Sequence, residues 1–154
     1  MADKIKQPKN AEIKAENARL TLAWKNTFGR DHTERFNDIQ KFVDSECIRL
    51  MVQYTPMRNG LLYKSAVVGT KIGSGHIYYA SPYARFQYYG KVMVSSVTGS
   101  AYARHGESKV VTNKELTYST ARHPKAQKMW FETMKTNHKE QILRGAAAIT
   151  KKGF

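Results

Sequence analysis

The chain has 154 residues, with 26 Lys and Arg against 12 Asp and Glu, a formal net charge of +14. That length fits one domain with a real core, since chains near this size bury roughly 70% of their unfolded surface. The sequence has no apolar run of about 18 residues to span a membrane, its polar start Met1–Asn10 has no apolar signal core, and the lone Cys47 excludes an internal disulfide, so a soluble, unsecreted protein is expected.

The charge is unevenly spread. Residues 1–30 carry 7 cations against 3 anions, residues 31–60 carry 4 against 5, residues 61–90 carry 3 against 0, residues 91–120 carry 4 against 2, and residues 121–154 carry 8 against 2. An acidic first helix between basic ends is the footprint of nucleic-acid binding or of an acidic protein neighbour.

In chain order, residues 1–10 are basic and broken by Pro8, which predicts a flexible arm ahead of a single domain spanning 11–154. Leu20 to Trp24 alternates like a strand, placed at about 18–25, although Ala11 to Glu16 has good helix propensity. A helix follows, with Asp31 or Thr33 as cap and Glu34 completing a capping box. Phe36, Ile39, Val43, Cys47, Leu50, Met51 and Tyr54 recur at three and four residues and form its core stripe. Cys47 in that stripe reads as a small buried hydrophobe, and Asp31, Glu34, Asp38, Asp44 and Glu46 lie mostly off it.

Pro56 and Gly60 end this helix. Lys64–Ile72 and His76–Ala80 are β-rich runs around Gly73-Ser74-Gly75, which predicts a hairpin. Ser81 to Gly90 is the densest aromatic stretch. Pro82 suits a first helical turn and Gly90 the left-handed position that ends it, so a short helical corner should deliver the chain into a strand at 91–96. A fourth strand at about 109–112 comes after the long loop Val97–Gly106, and long loops of this kind are usually functional or disordered. The last helix is expected from about Pro124 to Ala148, with Gln127, Trp130, Met134, His138, Ile142 and Ile149 on one stripe and Phe131 beside it. The fold class is α+β: a twisted antiparallel sheet of four or five strands, both main helices packed on one face, and a long hairpin loop.

The string Pro82-Tyr83-Ala84-Arg85-Phe86-Gln87-Tyr88-Tyr89-Gly90-Lys91-Val92-Met93-Val94 resembles the signature of the minor capsid proteins of long-tailed bacteriophages, a group related to tail-completion and head–tail joining proteins. Tyr54-Thr55-Pro56-Met57-Arg58-Asn59-Gly60-Leu61-Leu62 is similar to the Thr-Pro-x-x-x-Gly-x-Leu element after that family's first helix. Lys109–Tyr118 and Met129-Trp130-Phe131-Glu132 resemble its closing segments, so the likeness covers about residues 31–150. The resemblance implies a structural virion protein, not an enzyme. It would be assembled in the host cytoplasm and sit in the virion neck, where it forms a ring of identical copies, expected to be hexameric, between head and tail. The implied partners are further copies of itself and the adaptor or stopper, tail terminator and tail tube, with the end of the packaged DNA as a further contact and no membrane.

No chemistry emerges from the residues. The five histidines show no metal-ligand spacing, the glycine-rich 69–75 run lacks the ending of a phosphate loop, and residues 61–90 hold no carboxylate for acid–base work. No catalytic, cofactor or metal site is expected. A small basic ribonuclease using two histidines and a lysine is the enzyme alternative, and the spacing does not favour it. Docking is expected through a core of Tyr83, Tyr88 and Tyr89 with Arg85 and Lys91. Around it, Glu34, Asp38 and Asp44 of one copy would face Lys128, Lys135 and Lys139 of the next, since complementary patches fix register. Lys4, Lys6, Lys9, Arg104 and Lys109 are candidates to touch DNA or an acidic partner. The alternative reading is a nucleic-acid-binding module in which tyrosines stack on bases beside a phosphate track.

Overall fold

A computed structural model describes residues 4–151. Its elements are β1 (Ala11–Ala15), β2 (Ala18–Leu22), α1 (Phe28–Met51) continued by a 3-10 turn at Val52–Tyr54, α2 (Leu61–Gly69), α3 (Ala84–Tyr89), β3 (Lys91–Ser95), β4 (Lys109–Glu115) and α4 (Trp130–Lys151). The class is mixed α and β, but the strands form two separate antiparallel pairs, β1–β2 and β3–β4. The expected sheet of four or five strands is therefore corrected. One reason is that the 64–72 run, strand-like for its Val67 and Val68, is mostly helix. Leu62, Ala66 and Thr70, four residues apart, are the buried positions of α2 and its C-cap, which is helical spacing.

The core lies where α1 and α4 pack on each other. Leu50, Met51, Tyr54, Leu62, Ala84, Trp130, Met134 and Ile142 form one buried cluster. The two helices approach so closely at Gly145 that a Cβ there would lie 2.3 Å from Phe42 Cζ. Both long helices were legible as amphipathic stripes, with corrections at both starts and at Phe36. α1 starts at Phe28, so Asp31 and Thr33 lie inside its first turns. Asp31 there accepts a hydrogen bond from Thr27 Oγ1 at 2.7 Å, which with Lys25 and Arg30 lowers its pKa and suits a helix start. Phe36 lies outside the core, 46% exposed.

α4 starts at Trp130, six residues later than the sequence predicts. Gln127 N–H donates to Tyr54 O at 3.1 Å and Met129 N–H to Tyr88 O at 2.8 Å, so the backbone of this stretch bonds to other segments. Met129 takes the left-handed conformation, φ 53°, which breaks any helix passing through it. Of the segment expected to be a flexible arm, residues 1–3 lie outside the described residues. Its remainder is tied to the start of α1: Ile5 N–H donates to Thr33 Oγ1 at 3.0 Å, Gln7 Oε1 accepts from Gly29 N–H at 2.9 Å, and Asn10 Oδ1 accepts from Trp24 N–H at 2.8 Å.

Candidate docking surfaces around the tyrosine corner

The aromatic stretch forms the expected corner. α3 ends on Gly90 in the left-handed conformation, φ 69°, with its N–H returned to Gln87 O. The left-handed turn favours glycine, and a Cβ at Gly90 would also press on two side chains, 3.1 Å from Lys128 Cδ and 3.2 Å from the Tyr118 hydroxyl. The corner is braced from three sides. Tyr118 Oη donates to Gln87 O, Leu116 N–H to Gly90 O at 2.8 Å, and Met129 N–H to Tyr88 O.

This bracing divides the three tyrosines expected to act together. Tyr88 turns inward and meets the Trp130 ring edge-on at 4.9 Å, while Tyr79 meets the same ring at 5.5 Å. Burial pushes the Tyr88 and Tyr79 hydroxyl pKa values up. Tyr83 and Tyr89 face outward, 42% and 53% exposed, and Arg85 is exposed beside them. Lys91 is half-buried at the start of β3, opposite Glu115.

Three hollows surround the corner. The largest, about 590 Å3, lies between α1, residues 75–79, α3 and the start of α4, with Val43, Cys47, Met51, Tyr79, Tyr88 and Trp130 among its walls and Arg85 at its edge. Two smaller ones, of about 410 and 460 Å3, meet at Tyr83, Gln87 and Leu116, and the second also holds Phe86, Lys91 and Lys109. Cys47 is half-buried in the largest. Burial, then the charges of Asp44 and Glu46, push its thiol pKa up and keep it a poor nucleophile.

The acidic patch is corrected at Asp44. Its side chain is 3% exposed. Oδ2 accepts the N–H groups of Gly73 at 2.8 Å and Gly75 at 3.1 Å, and Oδ1 accepts Gln40 Nε2 at 2.7 Å. Gly73 and Gly75 have φ of 89° and 73°, which turns both N–H groups onto one carboxylate. A buried carboxylate is tolerable on such terms, since both of its oxygens accept N–H donors, two of them from the backbone. The same latch replaces the expected hairpin, because the glycine turn is held to α1 instead of joining two paired strands. The Gly-Ser-Gly run was visible in the sequence; its partner, 29 and 31 residues away, was not.

The other charges scatter. Glu34 and Asp38 are exposed on α1, with Lys41 Nζ 3.0 Å from Asp38. Lys128 pairs with Glu115 at 2.9 Å and Lys135 with Glu132 at 3.7 Å, while Lys139 is exposed. Lys128 is thus engaged with β4 of its own chain, ahead of α4, and α1 and α4 already pack on each other in the core, which leaves only their outer faces for a neighbour. Lys4, Lys6 and Lys9 are exposed along the tied N-terminal segment. In the β3–β4 loop, Arg104 N–H donates to Glu107 Oε2 at 3.1 Å and Lys109 Nζ to Ala101 O at 2.7 Å. Among the described residues no group of three His, Cys, Asp or Glu could hold a metal ion, and no helix is long and apolar enough to cross a membrane. Comparison with known proteins finds no matching family model, no matching curated protein and no matching solved structure.

Proposed function

We propose that the chain is a structural docking protein of a tailed-phage virion, one ring in the neck between head and tail, working through its surfaces and not through catalysis. The observation that carries the reading is the division of the tyrosine corner. Tyr88 is anchored on Trp130, and the turn is braced at Gly90, so Tyr83, Tyr89 and Arg85 stand outward on a rigid base. Tyrosine and arginine held in this way concentrate binding energy at little entropic cost. The sequence likeness over residues 31–150 lies on this same corner and supplies the neck as its setting. Asymmetric cryo-electron microscopy of particles carrying the chain tests the reading: ring density between portal and tail tube is expected, and particles lacking the chain would overturn it.

One observation favours a second reading. Lys91 and Lys109 flank Tyr83 and Phe86 around the 460 Å3 hollow, an arrangement suited to stacking a base beside a phosphate. A nucleic-acid-binding module predicts steep salt dependence of affinity for short DNA. The docking protein predicts weak binding, so a fluorescence anisotropy titration at two salt concentrations separates the two.

A further inference from the structure

Two apolar surfaces of this chain have complementary character. The first is the β1–β2 hairpin. Its register pairs Ala11 with Leu22, Ile13 with Leu20 and Ala15 with Ala18, so these six residues share one face. Ile13, Leu20 and Leu22 are 64%, 66% and 53% exposed. Glu12 and Arg19 form an ion pair and, with Lys14 and Thr21, make the opposite face polar. A lone two-stranded hairpin is marginal in water, and every strand residue of this one is exposed. The second surface is the cleft under Tyr88, apolar along the half-buried Val43, Cys47, Ile77, Tyr79 and Phe131 above a floor of buried Met51 and Trp130, with room for several aliphatic side chains.

The hairpin cannot fill the cleft of its own chain. Its base is fixed at the start of α1, where Asn10 holds Trp24 and the Trp24 ring meets Phe28 at 4.9 Å. Gln40, at the near edge of the cleft, lies about 18 Å further along the helix at its standard rise, and Val43 and Met51 on its apolar side about 22 and 35 Å, so the hairpin tip could reach only that edge. Strands of five residues extend only about 17 Å. Charge points the same way. Glu16 at the exposed tip has no ion pair among the described residues, and neither has Arg85 at the rim of the cleft.

We infer that the hairpin of one copy seats in the cleft of a second copy, apolar face inward, with Glu16 against Arg85. The contact joins two different surfaces, so it runs head to tail and closes into a ring when its rotation permits. It deepens the ring reading, resting on it only for the premise that copies meet head to tail. It assigns that contact to the hairpin and the cleft in place of the outer faces of α1 and α4.

Cys47, the single cysteine of the chain, lines the cleft and serves as the reporter. The concentrated full-length Leu20→Cys variant is oxidised with diamide, which takes two electrons and two protons from a pair of thiols as one S–S bond forms. A ladder of covalent dimers, trimers and higher species is expected. It should form about tenfold faster than with Val68→Cys, an exposed position on α2, because docking raises the effective concentration of the two thiols. Adding Cys47→Ser should abolish the ladder. Glu16→Arg or Arg85→Glu alone should slow it severalfold, and the two together should restore it. Linkage no faster than at Val68→Cys, or dimer formation that Cys47→Ser does not slow, would overturn the inference. Failure of the ring reading looks different: particles lacking the chain alongside a Cys47-dependent ladder would remove the phage neck and leave the docking, whereas a neck ring without that ladder would remove the docking alone.

Discussion

β1–β2 and β3–β4 are both two-stranded antiparallel ribbons, yet every residue of the first is exposed, while β3 is half-buried along its length and ends at the buried Ser95. The difference lies in what stands behind them. β3 leaves Gly90 directly, β4 is bolted back by Leu116 N–H on Gly90 O and by Lys128 on Glu115, and Thr112 Oγ1 donates to Val92 O across a bulge. Ser95 closes the far end, donating to Glu107 and accepting the N–H groups of Val97 and Thr98. β1–β2 meets the body through the chain ends at Asn10 and Trp24. Alternation tells which residues share a face; it does not tell whether anything lies against that face.

The contrast can be broken hardest at Trp130. It is 1% exposed and carries Tyr79 and Tyr88, so Trp130→Ala should lose about 3–5 kcal/mol of stability in urea unfolding. Hydrogen exchange in β3–β4 should speed up accordingly, while β1–β2, which opens locally, should change little. Asp44→Ala strands two glycine N–H groups and should cost about 2–3 kcal/mol, with new exchange confined first to residues 71–76. Gly90→Ala puts a side chain into a left-handed turn and against Lys128, at about 1–2 kcal/mol, and should loosen β3–β4 alone.

A pH titration sharpens the comparison at the loop end. The Ser95 hydroxyl, and then the Arg104 N–H, hold the Glu107 pKa below the ordinary carboxylate value. Its unfolded-state pKa is therefore the higher of the two. The contribution to stability is full above that ordinary value and is lost as pH falls through the lowered folded value. NMR of the Val97 and Thr98 amides should show the loop loosening in that acid window, and Glu107→Gln should remove the step. The smallest effect belongs to the uncovered ribbon: Leu20→Ser should shift folding stability by no more than about 0.5 kcal/mol. A large loss there would mean that the hairpin packs on its own chain.

Much of the frame was legible. The three- and four-residue recurrence through Val43, Leu50 and Met51, and through Trp130, Met134 and Ile142, marks two helices that do form the core. Gly90 ends α3 as expected, whereas Pro82 stands one residue before the N-cap Tyr83 and not in the first turn, and the starts of β3 and β4 follow. The corner was legible as a unit, but the inward turn of Tyr88 was not, because Tyr83, Tyr88 and Tyr89 are the same residue type in one short stretch. What separates them is Trp130, some forty residues away.

Local pattern determines what can be decided within one element: which positions share a face, where a glycine must turn the chain, and that this chain carries more cations than its anions can pair. Tertiary structure alone decided that Asp44 is buried, that residues 124–129 stay out of α4, and that β1–β2 stands uncovered. In each case the deciding partner is remote in sequence. A backbone N–H or an apolar face satisfies local rules equally well whether it meets water or a distant segment, and only the assembled chain chooses between them.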